Sequence, residues 1–284
     1  MSIRPVKKIT SAKPTIEGAG VKLHRAFGFG DTKDTDPFLL LDDFRNDNPE
    51  DYLAGFPWHP HRGIETVTYM IRGVVEHGDS IGNKGAIQSG DVQWMTAGNG
   101  ILHQEMPQRY DGMFQGFQLW VNLPASKKMM DPRYRDVKSA QIPVARIAEG
   151  VEAKIITGDL AGAKGPVRDL VVKIEYLDIK MESGKVFEHE SVDGLTQFAY
   201  LYKGEALLNP EDKNPATQGT LAVFGEGKGV KIRSGISGAR FLLVSGKTLR
   251  EPIAWGGPIV MNTEEELDRA FEELRQGTFI KKRL

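Results

Sequence analysis

The chain has no cysteine at all. That excludes disulfides, thiolate metal ligands and cysteine nucleophiles, so any metal must be held by nitrogen and oxygen donors, and it fits a reducing compartment. Neither sign of charge dominates: 37 Lys and Arg stand against 38 Asp and Glu, a formal net charge of −1. Such a balance provides no overall field to hold nucleic acid or an anionic membrane, and neither is expected as a direct partner. Long apolar runs are missing as well. The opening Met1-Ser2-Ile3-Arg4-Pro5-Val6-Lys7-Lys8 has no stretch of signal-peptide length, and no later segment reaches the roughly 18 apolar residues of a membrane span. A cytoplasmic protein is expected. Histidine is scarce, at six in 284 residues, so where the histidines fall is informative.

What the sequence does contain is alternation. Glu65-Thr66-Val67-Thr68-Tyr69-Met70-Ile71-Arg72 ends at Gly73, and similar apolar/polar runs occupy 117–122, 170–177, 196–202 and 240–244, with turn residues between them. A period of two predicts strands, and many short strands cut by Gly, Pro, Asn and Asp predict an all-β chain of antiparallel barrels or sandwiches. One helix is signalled near the end. Thr263 and Glu266 can form a capping box ahead of Leu267, Ala270, Phe271 and Leu274, and Gly277 can stop the helix. At 284 residues two domains are expected. The segment 127–142, with Lys127, Lys128, Asp131, Pro132, Arg133 and Arg135, lacks alternation and reads as a connection. We therefore place domains at 1–137 and 138–284. Tyr69-Met70-Ile71-Arg72-Gly73 is echoed by Tyr200-Leu201-Tyr202-Lys203-Gly204, a shift of 131 (200 − 69), which puts Glu190 and Val192 where His59 and His61 stand in the first half.

Four of the six histidines, His59, His61, His77 and His103, lie close together in sequence. In a strand the side chains of i and i+2 leave the same face, so His59-Pro60-His61 can aim two imidazoles at one point, and His103-Gln104-Glu105 repeats the arrangement with a carboxylate. Three neutral nitrogens and one carboxylate suit Fe(II), Mn, Ni, Cu or Zn, and four protein donors leave one or two positions of a six-coordinate ion open for chemistry. Glu65 shares the even spacing of His59 and His61, so parity alone leaves two candidate carboxylates, Glu105 and Glu65. His77, beside Gly78 and Asp79, is expected in a surface turn, with a place at the cavity mouth as the alternative. His189 falls off the register of a second site, and no metal is expected in the second half.

The blocks His59-Pro60-His61-Arg62-Gly63-Ile64-Glu65-Thr66-Val67-Thr68-Tyr69, Gly90-Asp91-Val92-Gln93-Trp94-Met95-Thr96-Ala97-Gly98 and His103-Gln104-Glu105-Met106-Pro107 resemble the pirins, members of the cupin superfamily. Asp36-Pro37-Phe38-Leu39-Leu40-Leu41-Asp42-Asp43-Phe44 and Gln118-Leu119-Trp120-Val121-Asn122-Leu123 extend the likeness. The resemblance implies a bicupin: two antiparallel jelly-roll β-barrels face to face, with a metal, usually iron, only in the N-terminal one. Carried over residue by residue, it implies His59, His61, His103 and Glu105 as ligands and demotes Glu65 to an outer position. It also implies the reaction of quercetin 2,3-dioxygenases, which open the central ring of a flavonol with O2 and release carbon monoxide. In that reaction Glu105 would serve both as ligand and as the base for the 3-hydroxyl proton, and Phe56, Trp94 and Met95 are the expected walls for a flat substrate. The other implied role is non-enzymatic: a regulator whose metal oxidation state controls docking on a transcription factor or metabolic enzyme. Lys127, Lys128, Arg133, Arg135 and the tail Lys281-Lys282-Arg283 are candidate contacts, although such charges usually form a solvated face.

Overall fold

The computed structural model describes residues 2–209 and 211–281; Lys282 and Arg283 lie outside the described residues. The alternating runs are strands. Ile64–Arg72 and Gln115–Asn122 coincide closely with the expected segments, while the run expected at 170–177 forms its strand later, at Ile174–Met181. The helix is Glu264–Arg275, and both bonds of its capping box are present between Thr263 and Glu266. Among the described residues no helix is long and apolar enough to cross a membrane.

The chain divides into two compact units, but not at a single cut. One unit gathers the segment ending at Lys13, residues 31–37 and residues 140–248; the other gathers residues 14–30, residues 38–139 and the chain from Leu249 onward. The expected grouping into 1–137 and 138–284 therefore needs correcting at both ends. Val6–Ser11 pairs antiparallel with Thr220–Phe224 and completes the sheet of the later half. The C-terminal helix buries Leu267 and Ala270 with Ile259, Met261 and Phe279, and the adjoining Val260 packs with Leu39, Ile64 and Met95 of the earlier half. Pairing and burial decide these memberships, and neither follows sequence proximity.

The unit containing 140–248 is chiefly a nine-stranded antiparallel sheet with an apolar core that includes Val151, Ile155, Leu177, Phe187, Leu201 and Phe241. Glu190 and Val192, at the positions echoing His59 and His61, are exposed. His189 is buried and its Nε2 lies 2.7 Å from Glu175 Oε2, an ordinary internal pair.

The other unit is built from two larger sheets and the short antiparallel pair Ala254–Gly256 and Ile259–Met261. Seven strands run in the order Arg133–Val137, Val92–Thr96, Ile64–Arg72, Gln115–Asn122, Phe38–Asp43, Val21–Phe27 and Lys13–Glu17. Four more run Phe56–His61, Ile101–Pro107, Val74–Asp79 and Lys84–Gln88. Two differences from the sequence reading matter here. Residues 133–137, expected to be connection, form an edge strand paired with Val92–Thr96. Lys128, expected on a solvated face, is 1% exposed and donates to Gly63 O, Asn122 Oδ1 and Val260 O at 2.7–2.9 Å.

Candidate metal centre

Two neighbouring strands of the smaller sheet deliver the imidazoles. Phe56–His61 and Ile101–Pro107 are antiparallel, with His59 directly opposite His103. Burial alternates along Ile101–Pro107, so His103 and Glu105 turn inward together. Nitrogen atoms of His59, His61 and His103 all lie within 4.8 Å of one another. Glu105 is not part of that tight group. Its carboxylate is buried and lines the same cavity, and its Oε1 accepts from Thr68 Oγ1 at 2.8 Å.

The tautomers follow from the hydrogen bonds. His59 Nδ1 donates to Pro57 O at 2.8 Å and His61 Nδ1 donates to Pro258 O at 2.9 Å. A carbonyl only accepts, so each Nδ1 carries the proton and each Nε2 keeps a lone pair. Those two Nε2 atoms face each other at 3.1 Å. Burial pushes the basicity of all three rings down, His61 to about 3 and His103 well below its ordinary value, and the neighbouring histidines push His61 and His103 further. His103 Nε2 is itself buried without a hydrogen-bond partner. Lone pairs converging at this range repel unless a cation sits among them, so the residues fit a divalent metal held by nitrogen donors.

Glu65 belongs elsewhere. Its parity with His59 and His61 is broken at Gly63, where a positive φ of +78° turns the chain from one sheet into the other. Glu65 then lies opposite Thr96, beside the Val67–Trp94 pair, and accepts from Thr96 Oγ1 at 2.6 Å. Among the described residues it makes no hydrogen bond to an imidazole, so it does not orient any of the three rings. That role falls to the carbonyls of Pro57 and Pro258. Sequence reasoning had no access to Pro258, because a backbone oxygen 197 residues from His61 leaves no residue-type signal. His77 also differs from expectation: it is 6% exposed within the strand Val74–Asp79, its Nε2 2.6 Å from Tyr134 Oη.

His59 and His61 open onto a cavity of about 670 Å³. Phe56 lines it as expected; Trp94 and Met95 do not. Trp94 faces the other side of its sheet, and Met95 packs with Leu39, Ile64 and Ile101. The walls are instead Leu23, Leu40, Phe44, Phe114 and Trp120, with Trp255 from the C-terminal segment. Trp120 stands edge-on to His61, ring centres 5.0 Å apart, and continues through Trp255 to the exposed Phe29. Burial pushes the Glu105 carboxyl up to about 7, with Thr68 opposing the shift.

A cupin barrel with three converging histidines, in a chain whose second half is also a cupin domain, defines the class as a bicupin. Residues 20–121 match the pirin family and residues 176–280 match the pirin C-terminal cupin domain. A pirin-like protein of Caulobacter vibrioides is 43% identical, covering 98% of this chain and 100% of its own length. Pirin of Homo sapiens is 39% identical over 95% of this chain and 93% of its own. The crystal structure of a quercetin 2,3-dioxygenase from Acinetobacter baumannii shares the fold with a TM-score of 0.90 and 32% identity, over 98% of each chain. The chain belongs to the pirin family.

Proposed function

We propose that this protein is a metal-dependent dioxygenase that opens the ring of a flavonol such as quercetin with O2, with Fe(II) as the resident metal. The observation that carries the reading is the convergence of the His59, His61 and His103 nitrogens within 4.8 Å of one another, with His59 and His61 lining a cavity walled by Trp120, Trp255, Phe44 and Phe56. His59, His61 and His103 would hold the metal, with Glu105 as the fourth donor. Mn, Ni, Cu and Zn suit the same donors. When bound, the metal supplies Lewis acidity toward a substrate oxygen and redox exchange with dioxygen.

The chain's own residues supply the rest. Glu105, buried and lining the cavity, takes the flavonol 3-hydroxyl proton on its carboxylate. Thr68 Oγ1 keeps that carboxylate in place. The indole and phenyl walls hold the flat rings and exclude water, which fixes the reacting carbon in one orientation.

The test is metal content by mass spectrometry on untagged protein, followed by anaerobic Fe(II) reloading and a quercetin assay. About one metal per chain, lost in His59→Ala, together with oxygen-dependent loss of the flavonol absorption band above a metal-only control, is the expected result. Glu105→Gln should lower turnover at least about a hundredfold. Bound metal with no turnover, or a Glu105→Gln variant as active as the wild type, would remove the proposal.

A further inference from the structure

The otherwise mainly apolar cavity carries one row of polar side chains. Thr68, Gln118, Asp42 and Arg25 lie on four successive strands in register: Thr68 opposite Gln118, Gln118 opposite Asp42, Asp42 opposite Arg25. All four line the cavity, as do Glu105 and Glu17 at the two ends of the row. With neighbouring strands about 4.8 Å apart, the row spans roughly 14 Å, the reach of a planar molecule of two or three rings.

Hydrogen bonds join the row in two blocks. Thr68 Oγ1 lies 2.8 Å from Glu105 Oε1 and 2.6 Å from Gln118 Oε1. One hydroxyl proton cannot serve two acceptors, so either Glu105 is protonated or the Gln118 amide is turned with its nitrogen toward Thr68. Arg25 Nε and Nη2 donate to both Asp42 oxygens at 2.8 Å, and its Nη1 pairs with Glu17 at 2.9 Å. Between the blocks the row is broken. Gln118 and Asp42 are opposite neighbours, yet no hydrogen bond joins their side chains, and among the described residues Thr68 is the one side-chain partner of Gln118. Whichever way its amide is turned, one of its polar atoms is left over. Asp42 is 5% exposed, and each of its oxygens keeps a second lone pair after binding Arg25. A carboxylate needs a donor, and a leftover amide atom needs either a donor or an acceptor. A hydroxyl satisfies both conditions.

We propose that Gln118 and Asp42 are specificity-determining residues that select a planar aromatic substrate bearing a hydroxyl on a ring remote from the metal. The hydroxyl donates to an Asp42 oxygen and pairs with the Gln118 amide. This rests on the flavonol reading of the cavity and adds to it which part of the molecule is recognised away from the reacting oxygen.

The experiment is anaerobic binding of quercetin and of 3-hydroxyflavone, which has only the hydroxyl at the reacting position, to the metal-loaded full chain. Wild type, Asp42→Asn and Gln118→Leu are compared. Asp42→Asn keeps the side-chain shape and an acceptor for Arg25, and Gln118→Leu changes no charge, so one variant checks the other. The wild type is expected to bind quercetin at least about tenfold tighter than 3-hydroxyflavone, and each variant to bring that ratio below about threefold. If wild type binds both probes and the ratio is the same in both variants, recognition by Gln118 and Asp42 is wrong while the flavonol reading stands. If wild type binds neither probe, the flavonol reading itself fails and takes this inference with it.

Discussion

Asp42 shows how one side chain combines structural cost with recognition. It is paired bidentately with Arg25, which favours the carboxylate, yet burial is the larger influence and pushes its pKa up from the usual 3.8 to about 6. An acid whose folded-state pKa exceeds its unfolded value holds more protons folded than unfolded between those two values. Stability therefore falls as pH rises through that window and levels off above it. Relative to Asp42→Asn, which does not titrate, the wild type should lose unfolding free energy from pH 4 to pH 6 and run parallel above about pH 6.5. Urea denaturation at each pH measures the difference. A gap that moved the opposite way, with the wild type losing ground as pH falls, would show that Arg25 outweighs burial. At this scale the sequence was legible where a motif has fixed spacing, as for His59, His61 and His103. It was not legible where the backbone intervenes: parity could not place Glu65, because Gly63 takes a conformation that rotates everything after it, and a Cβ there would sit 1.9 Å from Val260 O.

Among elements, the runs of apolar alternation are strands, though the run at 170–177 becomes one only from Ile174, and Arg133–Val137, which lacks alternation, is a strand where connection was expected. Arg133–Val137 pairs with Val92–Thr96, and the side chain it turns toward His77 and Gln93 is Tyr134, whose Oη meets both. A strand whose inward positions are polar has no apolar period to detect. The same region hides a second feature. Lys128 ends a short 3-10 turn and ties three elements together: the turn after Phe56–His61 through Gly63 O, the end of Gln115–Asn122 through Asn122 Oδ1, and Ile259–Met261 through Val260 O. Burial pushes its pKa down to about 7, while three acceptors around one nitrogen favour the three-donor ammonium. Replacing it by methionine keeps much of the stem's packing and leaves three acceptors unpaired. Lys128→Met should lose about 2–4 kcal/mol of unfolding free energy, whereas the exposed neighbour Lys127→Met should change it by less than about 0.5 kcal/mol. Equal effects from the two would mean that Lys128 is not the tie described.

For the whole molecule, an all-β chain with two cupin domains was readable from period and family likeness, but the exchange of terminal segments was not, because strand pairing and helix docking are set by distant partners. That exchange bears on the metal. His61 Nδ1 is fixed by Pro258 O, Val260 N donates to Arg62 O at 3.1 Å, and the buried Arg62 donates to Phe279 O at 2.9 Å and pairs with Glu273. The C-terminal segment thus grips a proposed ligand and the residue that follows it. A metal that binds only the folded state stabilises it, by about 2.7 kcal/mol at a free concentration a hundred times Kd. That gain should spread along these bonds. In hydrogen exchange with and without Fe(II) under anaerobic conditions, amides of Ile259–Met261 should gain protection although no ligand lies there, along with Phe56–His61 and Ile101–Pro107. Thr220–Phe224, in the other unit, should not change. His103→Ala should abolish the difference everywhere. Protection confined to the ligand strands would show that the grip of the C-terminal segment on His61 is too weak to matter, and uniform protection across both units would show that the metal acts on global stability and not through Pro258.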